Sequence, residues 1–136
     1  MLRTAVTILC GAGLYVSLFM LRKSRMADRG NVDGSSIVKE SHARLFLGKP
    51  NSLFGSLYFP LIAAAVWIYP WLVAQDDFDA STALRWLILL SVATAAATSL
   101  FLAYSLLFVT KRGCPYCWAA HVVNWVLLFM VPLSIS

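Results

Sequence analysis

Four apolar stretches, each about long enough to cross a bilayer, constrain this chain more than any other feature. A membrane helix needs roughly 20 mostly apolar residues. Such stretches run over residues 4–21, 53–74, 84–109 and 115–133, and they take up most of the 136 residues. The chain is 60% hydrophobic and 12% charged, with a mean hydropathy of +0.77. A soluble domain usually carries about 25% charged residues. Half that figure excludes most soluble readings, and intrinsic disorder with them. The expected fold class is all-α: a single-domain four-transmembrane-helix bundle over residues 1–136, with a long first loop, residues 22–52, that can cap one end.

Local details fit spans. The first stretch holds no charge and ends in Arg22, Lys23 and Arg25. A cleaved signal peptide would show small residues at a cleavage site instead, so the segment is expected to stay as a helix. Pro60 and Pro70 interrupt the second stretch, which a bilayer helix tolerates when its neighbours absorb the freed carbonyls. Trp67, Tyr69 and Trp71 suit an interfacial belt. Residues 93–99 are all Ala, Thr and Ser, small enough for close helix approach. The second and third connections are short, which favours antiparallel neighbours. The two termini then share one side, and the long loop shares the other with Lys111, Arg112 and Gly113.

The net charge of +5 belongs to span flanks, and no nucleic-acid partner is expected. Nine of the eleven Lys and Arg residues fall on the long-loop side. The positive-inside rule puts that side in the cytoplasm.

Chemistry concentrates in Cys114-Pro-Tyr-Cys117, which opens the fourth stretch directly after two cations. Proline suits the first helical position, and the free N–H groups of a first turn favour a thiolate there. Cys114 lies at the tip, the better place to meet a partner, and Cys117 one turn deeper. Cys10, alone in the first stretch, reads as a small buried hydrophobe. Structural zinc wants four ligands at recognisable spacings. There is no second cysteine pair and His42 is remote from His121, so no metal centre is expected. Covalent haem attachment would need His after the second cysteine, where Trp118 stands. Thiol–disulfide exchange is the leading reading, and a lipid-soluble quinone is the natural two-electron complement within a bilayer. Cys117, His121 and Asn124 share one helix face. For Asn124, a hydrogen bond to a neighbouring helix ranks ahead of a ligand contact. For His121, that bond and a role in quinone contact or proton transfer rank equally.

Two segments, Asn51-Ser52-Leu53-Phe54-Gly55 opening the second stretch and Cys114-Pro-Tyr-Cys117 opening the fourth, carry a resemblance over most of the chain. In their order and places they resemble the vitamin K epoxide reductase family. The resemblance implies a four-helix bundle around a quinone pocket closed by the first loop, in a multi-pass protein of the bacterial inner membrane or the endoplasmic reticulum. It implies that Cys117 reacts with a quinone of the ubiquinone, menaquinone or vitamin K class. Cys114 would exchange with a thioredoxin-like protein or a small thiol. Asn51 would bond a quinone oxygen, Phe54 of the same segment would contact the quinone, and His121 would stand where animal members have tyrosine. The resemblance also puts the loop face in the periplasm or reticulum lumen, opposite to the charge count.

This chain departs from the family in its first loop. A second cysteine pair is usual there, at places that fall near Asp33 and Ser41, yet no cysteine lies between Arg22 and Ser52. A thiol partner would act on Cys114–Cys117 directly, another protein would supply the relay, or the fold would serve as a non-catalytic quinone-binding or assembly protein. The first is preferred, because the reactive pair is intact. Three structural expectations follow. The two cysteines should lie within disulfide reach at a cavity mouth, Asn51 should point into that cavity, and Leu45, Phe46 and Leu47 should plug it.

Overall fold

The computed structural model describes residues 1–30, 49–111 and 113–136. The expected plug at Leu45, Phe46 and Leu47, the places near Asp33 and Ser41, His42 and Arg112 all lie outside the described residues. Among the described residues four α-helices form: α1 (Leu2–Asp28), α2 (Asn51–Ala74), α3 (Phe78–Tyr104) and α4 (Pro115–Ser134). A π-helical segment, Ser105–Thr110, continues α3. All four spans are long and apolar enough to cross a membrane. Side chains such as Ile8, Leu61, Leu100 and Phe129 stay exposed on the outside, a surface that suits lipid. The chain is a multi-pass integral membrane protein.

Two helices run well past their apolar stretches, for local reasons. α1 continues through the basic cluster to Asp28 and stops where Gly30 takes φ +75°, a conformation without steric cost for glycine. α3 begins at Phe78, six residues before its apolar stretch, because Asp77 caps it. The Asp77 carboxylate accepts from the Ala80 N–H at 3.1 Å, and Asp79 in the first turn complements the helix dipole. Between α2 and α3, Asp76 turns the chain with φ 55°.

Each helix packs against two neighbours in a closed ring, α1 on α2 and α4, α3 on α2 and α4. The termini share an end, where Arg3 Nε donates to the Ser134 carbonyl at 3.4 Å. That end of the bundle is solid: Val6, Val66, Ile88, Leu127 and Val131 form its core. Phe59 marks the limit of this packing. Its ring lies where a side chain on Gly13 would project, with Cε1 and Cζ 2.5 Å from the position of a Cβ there. One turn nearer the loop, Ser17 occupies the equivalent space over Gly55. Small residues thus bring α1 and α2 together along a buried stripe containing Cys10, Gly13, Ser17, Leu21 and Ser24.

Gly13→Ala should destabilise the bundle by about 1–3 kcal/mol, the usual cost of overpacking, because Phe59 is only 2% exposed and has little room to yield. Melting temperatures in detergent check this. Adding Phe59→Leu should give a combined loss smaller than the sum of the two single losses.

Candidate functional site

The loop-side half of the bundle is hollow. A cavity of about 640 Å³ extends from Phe59 towards the start of α4, walled by all four helices. Its volume suits a small organic ligand, and such sites combine apolar walls with a few placed polar groups.

Two helix starts meet this cavity. Asn51 is the first residue of α2, which follows extended Pro50, and Asn51, Phe54, Gly55 and Tyr58 line the wall. The first turn of α4 carries the cysteines. Pro115 opens it, Cys114 is its N-cap, and the Cys117 N–H donates to the Cys114 sulfur at 3.3 Å. The two cysteines form a disulfide with Cα atoms 5.3 Å apart. Cys117 faces the cavity. Cys114 does not line it and is only 6% exposed. Cys114 stands at the helix tip, as expected, yet the residue is buried there.

Neighbouring elements hold the turn in place. The Tyr116 ring stacks on Phe19 of α1 with centroids 4.3 Å apart, tying the cysteine segment to the adjacent helix. On its other side the π-helical coil supplies Ser105 and Leu106 to the cavity. Lys111 then takes a left-handed φ of 49°, which lets the chain reverse within four residues into α4. Sequence pattern carried no sign of the π segment, since one extra residue in a coil leaves apolar periodicity almost unchanged.

Residues of the cavity wall carry polar atoms that find no partner among the described residues. Tyr58 Oη, His121 Nδ1 and Asn124 Oδ1 are buried without hydrogen-bond partners, and all three residues line the cavity. His121 is 6% exposed, between the rings of Trp118 and Trp125 at centroid distances of 6.2 and 6.3 Å. Buried polar atoms are rarely left unpaired, so three in one wall set this end of the bundle apart from its packed half. Asn124 also bonds between helices, its Nδ2 donating to Ser99 Oγ of α3 at 2.6 Å. Tyr58 was missed from sequence: a tyrosine two turns after Asn51 looks like any span residue until its face is known. Cys10 is buried in the solid half and free. Among the described residues, no group of His, Cys, Asp and Glu could hold a metal ion.

Removing the unpaired hydroxyl should relieve a buried-polar cost of about 1–3 kcal/mol. Ligand-free Tyr58→Phe should therefore melt at or above the wild-type temperature in detergent. A clear fall would show that the hydroxyl has a protein partner.

No relative is found among curated proteins. The family described as the vitamin K epoxide reductase family matches residues 4–131, nearly the whole chain. That family supports a thiol–quinone oxidoreductase kind of function for a membrane protein. On this match, and with the helix order and cysteine turn in agreement, the chain belongs to the vitamin K epoxide reductase family.

Proposed function

We propose that this single-domain bundle couples the Cys114–Cys117 pair to a quinone substrate held in the loop-side cavity. The observation that carries the reading is that one cysteine of a formed disulfide lines the same cavity as three residues that carry buried polar atoms without partners among the described residues. In the quinone-reducing direction, the two thiols of the reduced pair lose two electrons and two protons, and the S–S bond forms between them. The quinone takes up both electrons and both protons and leaves as hydroquinone. A dithiol partner then reduces the disulfide and is itself oxidised.

The chain's residues divide this work. Cys117 faces the substrate. Asn51, at the start of α2, is the donor for an oxygen on which negative charge develops. His121, one turn below Cys117, carries a proton between sulfur and oxygen. Phe54 supplies apolar wall. Cys114 exchanges with a thioredoxin-like protein or small thiol. Because Cys114 is buried, the first turn of α4 must shift for a partner to reach it. The potentials of the partner and the quinone set the direction.

Purified protein supplied with dithiothreitol and ubiquinone-1 should reduce the quinone. Cys117→Ala should abolish this, and Asn51→Ala should slow it by roughly a hundredfold or more, the scale of one lost oxyanion donor. Turnover that persists in Cys117→Ala would overturn the mechanism. The absence of cysteine from residues 22–52 favours the second reading, a non-catalytic quinone-binding or assembly protein. That reading is correct if quinone binds but no thiol transfers electrons to it.

We place the loop face in an oxidising compartment, the periplasm or reticulum lumen, where disulfides persist. A reporter fused after Ser136 should then stay cytoplasmic. A reporter on the opposite side would favour the Lys/Arg count.

A further inference from the structure

α1 does not end where its apolar stretch ends. It runs on from Leu21 to Asp28, about 10 Å further at 1.5 Å per residue. Its inner side there is Ser24 and Ala27, both buried. Its outer side carries Arg22, Lys23 and Met26, all exposed. These follow Phe19 at helical spacing and so continue its face of the helix.

Phe19 is where α1 meets the cysteine turn. Its ring stacks on Tyr116 at 4.3 Å, and both rings stay partly open, 38% and 40% exposed. Tyr116 stands between the two cysteines in sequence. α4 starts at this end of the bundle and α1 finishes at it, so Arg22 and Lys23 lie on the loop side of the stack. Lys111, exposed in the turn before Cys114, adds another cation.

An open aromatic pair and a methionine, rimmed by cations, have the make-up of a protein docking surface. Aromatic residues, Met and Arg are enriched in interfaces, and charge at the rim selects the partner. Cations that flank a span also meet lipid headgroups. Two facts favour a partner here. The stripe adjoins the turn whose cysteine has to be reached from outside. No cysteine between Arg22 and Ser52 can relay electrons, so the partner's own dithiol has to come to Cys114.

We propose that Phe19, Arg22, Lys23 and Met26, with Tyr116, dock a dithiol protein whose surface around its cysteines is acidic. The inference rests on the thiol–quinone reading and adds the docking surface and the charge of the thiol partner. In the docked pair, a partner thiolate attacks the Cys114 sulfur. The Cys114–Cys117 bond breaks, a mixed disulfide forms, and Cys117 leaves and takes up a proton. The partner's second thiolate then attacks the partner's own sulfur in the mixed disulfide and releases Cys114, which is protonated in turn. The partner ends as a disulfide, oxidised by two electrons, and the pair as two thiols.

The test uses full-length protein in an uncharged detergent, with the pair oxidised, and two short peptides as probes. Both carry reduced Cys-Gly-Pro-Cys, one flanked by Glu and the other by Lys. Trapping the freed thiols with a maleimide reads the rate at which each peptide reduces the pair. The ratio of the two rates is compared between wild type and variants, which cancels differences in the peptides' own reactivity. At low salt, the ratio of Glu to Lys peptide should be roughly tenfold higher in wild type than in Arg22→Glu with Lys23→Glu, the low end of electrostatic steering. The difference should fade at about 1 M salt, where charges are screened within about 3 Å. Arg85→Glu, near the other end of the bundle, should match wild type. Equal ratios in wild type and the doubly reversed protein overturn the inference, assign the cations to lipid headgroups and leave the thiol–quinone reading standing. Failure of every dithiol, uncharged dithiothreitol included, to reduce the pair overturns that reading, and the inference with it.

Discussion

The ring of Phe59 in the space beside Gly13 is the contact on which the rest of the bundle depends. On one side of it, Val, Ile and Leu from all four helices fill the interior as in any packed core. On the other side the same four helices surround a cavity of about 640 Å³. Phe59 belongs to both, as core residue and as cavity floor. Without a Cβ on Gly13 the ring closes the hollow half while α1 and α2 stay in contact. Ser17 over Gly55 continues that contact within the cavity wall.

A hollow half requires support, since empty space forfeits packing. Support comes from the loop-side end, where the Phe19–Tyr116 stack joins α1 to α4 and the π-helical coil bridges α3 to the cysteine turn. Beside these contacts Cys117 lines the cavity and Cys114 is buried away from it. The same arrangement leaves three buried polar atoms without partners among the described residues in a mostly apolar wall.

Much of this was legible in the chain itself. Stretch length gave the number of helices, because a bilayer leaves the backbone no other way to satisfy its polar groups. The Cys114-Pro-Tyr-Cys117 segment announced a helix start, because Pro and a capping sulfur both suit a first turn. Asn51 was placed at the cavity by resemblance rather than by periodicity. Helix ends were less legible: Asp77 extended α3 well beyond its apolar stretch, since a cap acts through one side chain and not through hydropathy. Asn124 was expected to bond a neighbouring helix and does so, through Ser99 of α3.

By itself the sequence determined the class of fold, the membrane spans, and that the cysteine pair opens the fourth helix, because length, apolarity and helix-start preferences are local properties. Tertiary structure alone decided that one half is solid and the other hollow, that Cys114 is covered while Cys117 looks inward, and that Tyr58 joins His121 and Asn124 around one space. Those outcomes depend on which faces of different helices meet. Such meetings are fixed by contacts between residues far apart in the chain, Gly13 with Phe59 and Ser99 with Asn124, whose partners no local pattern names.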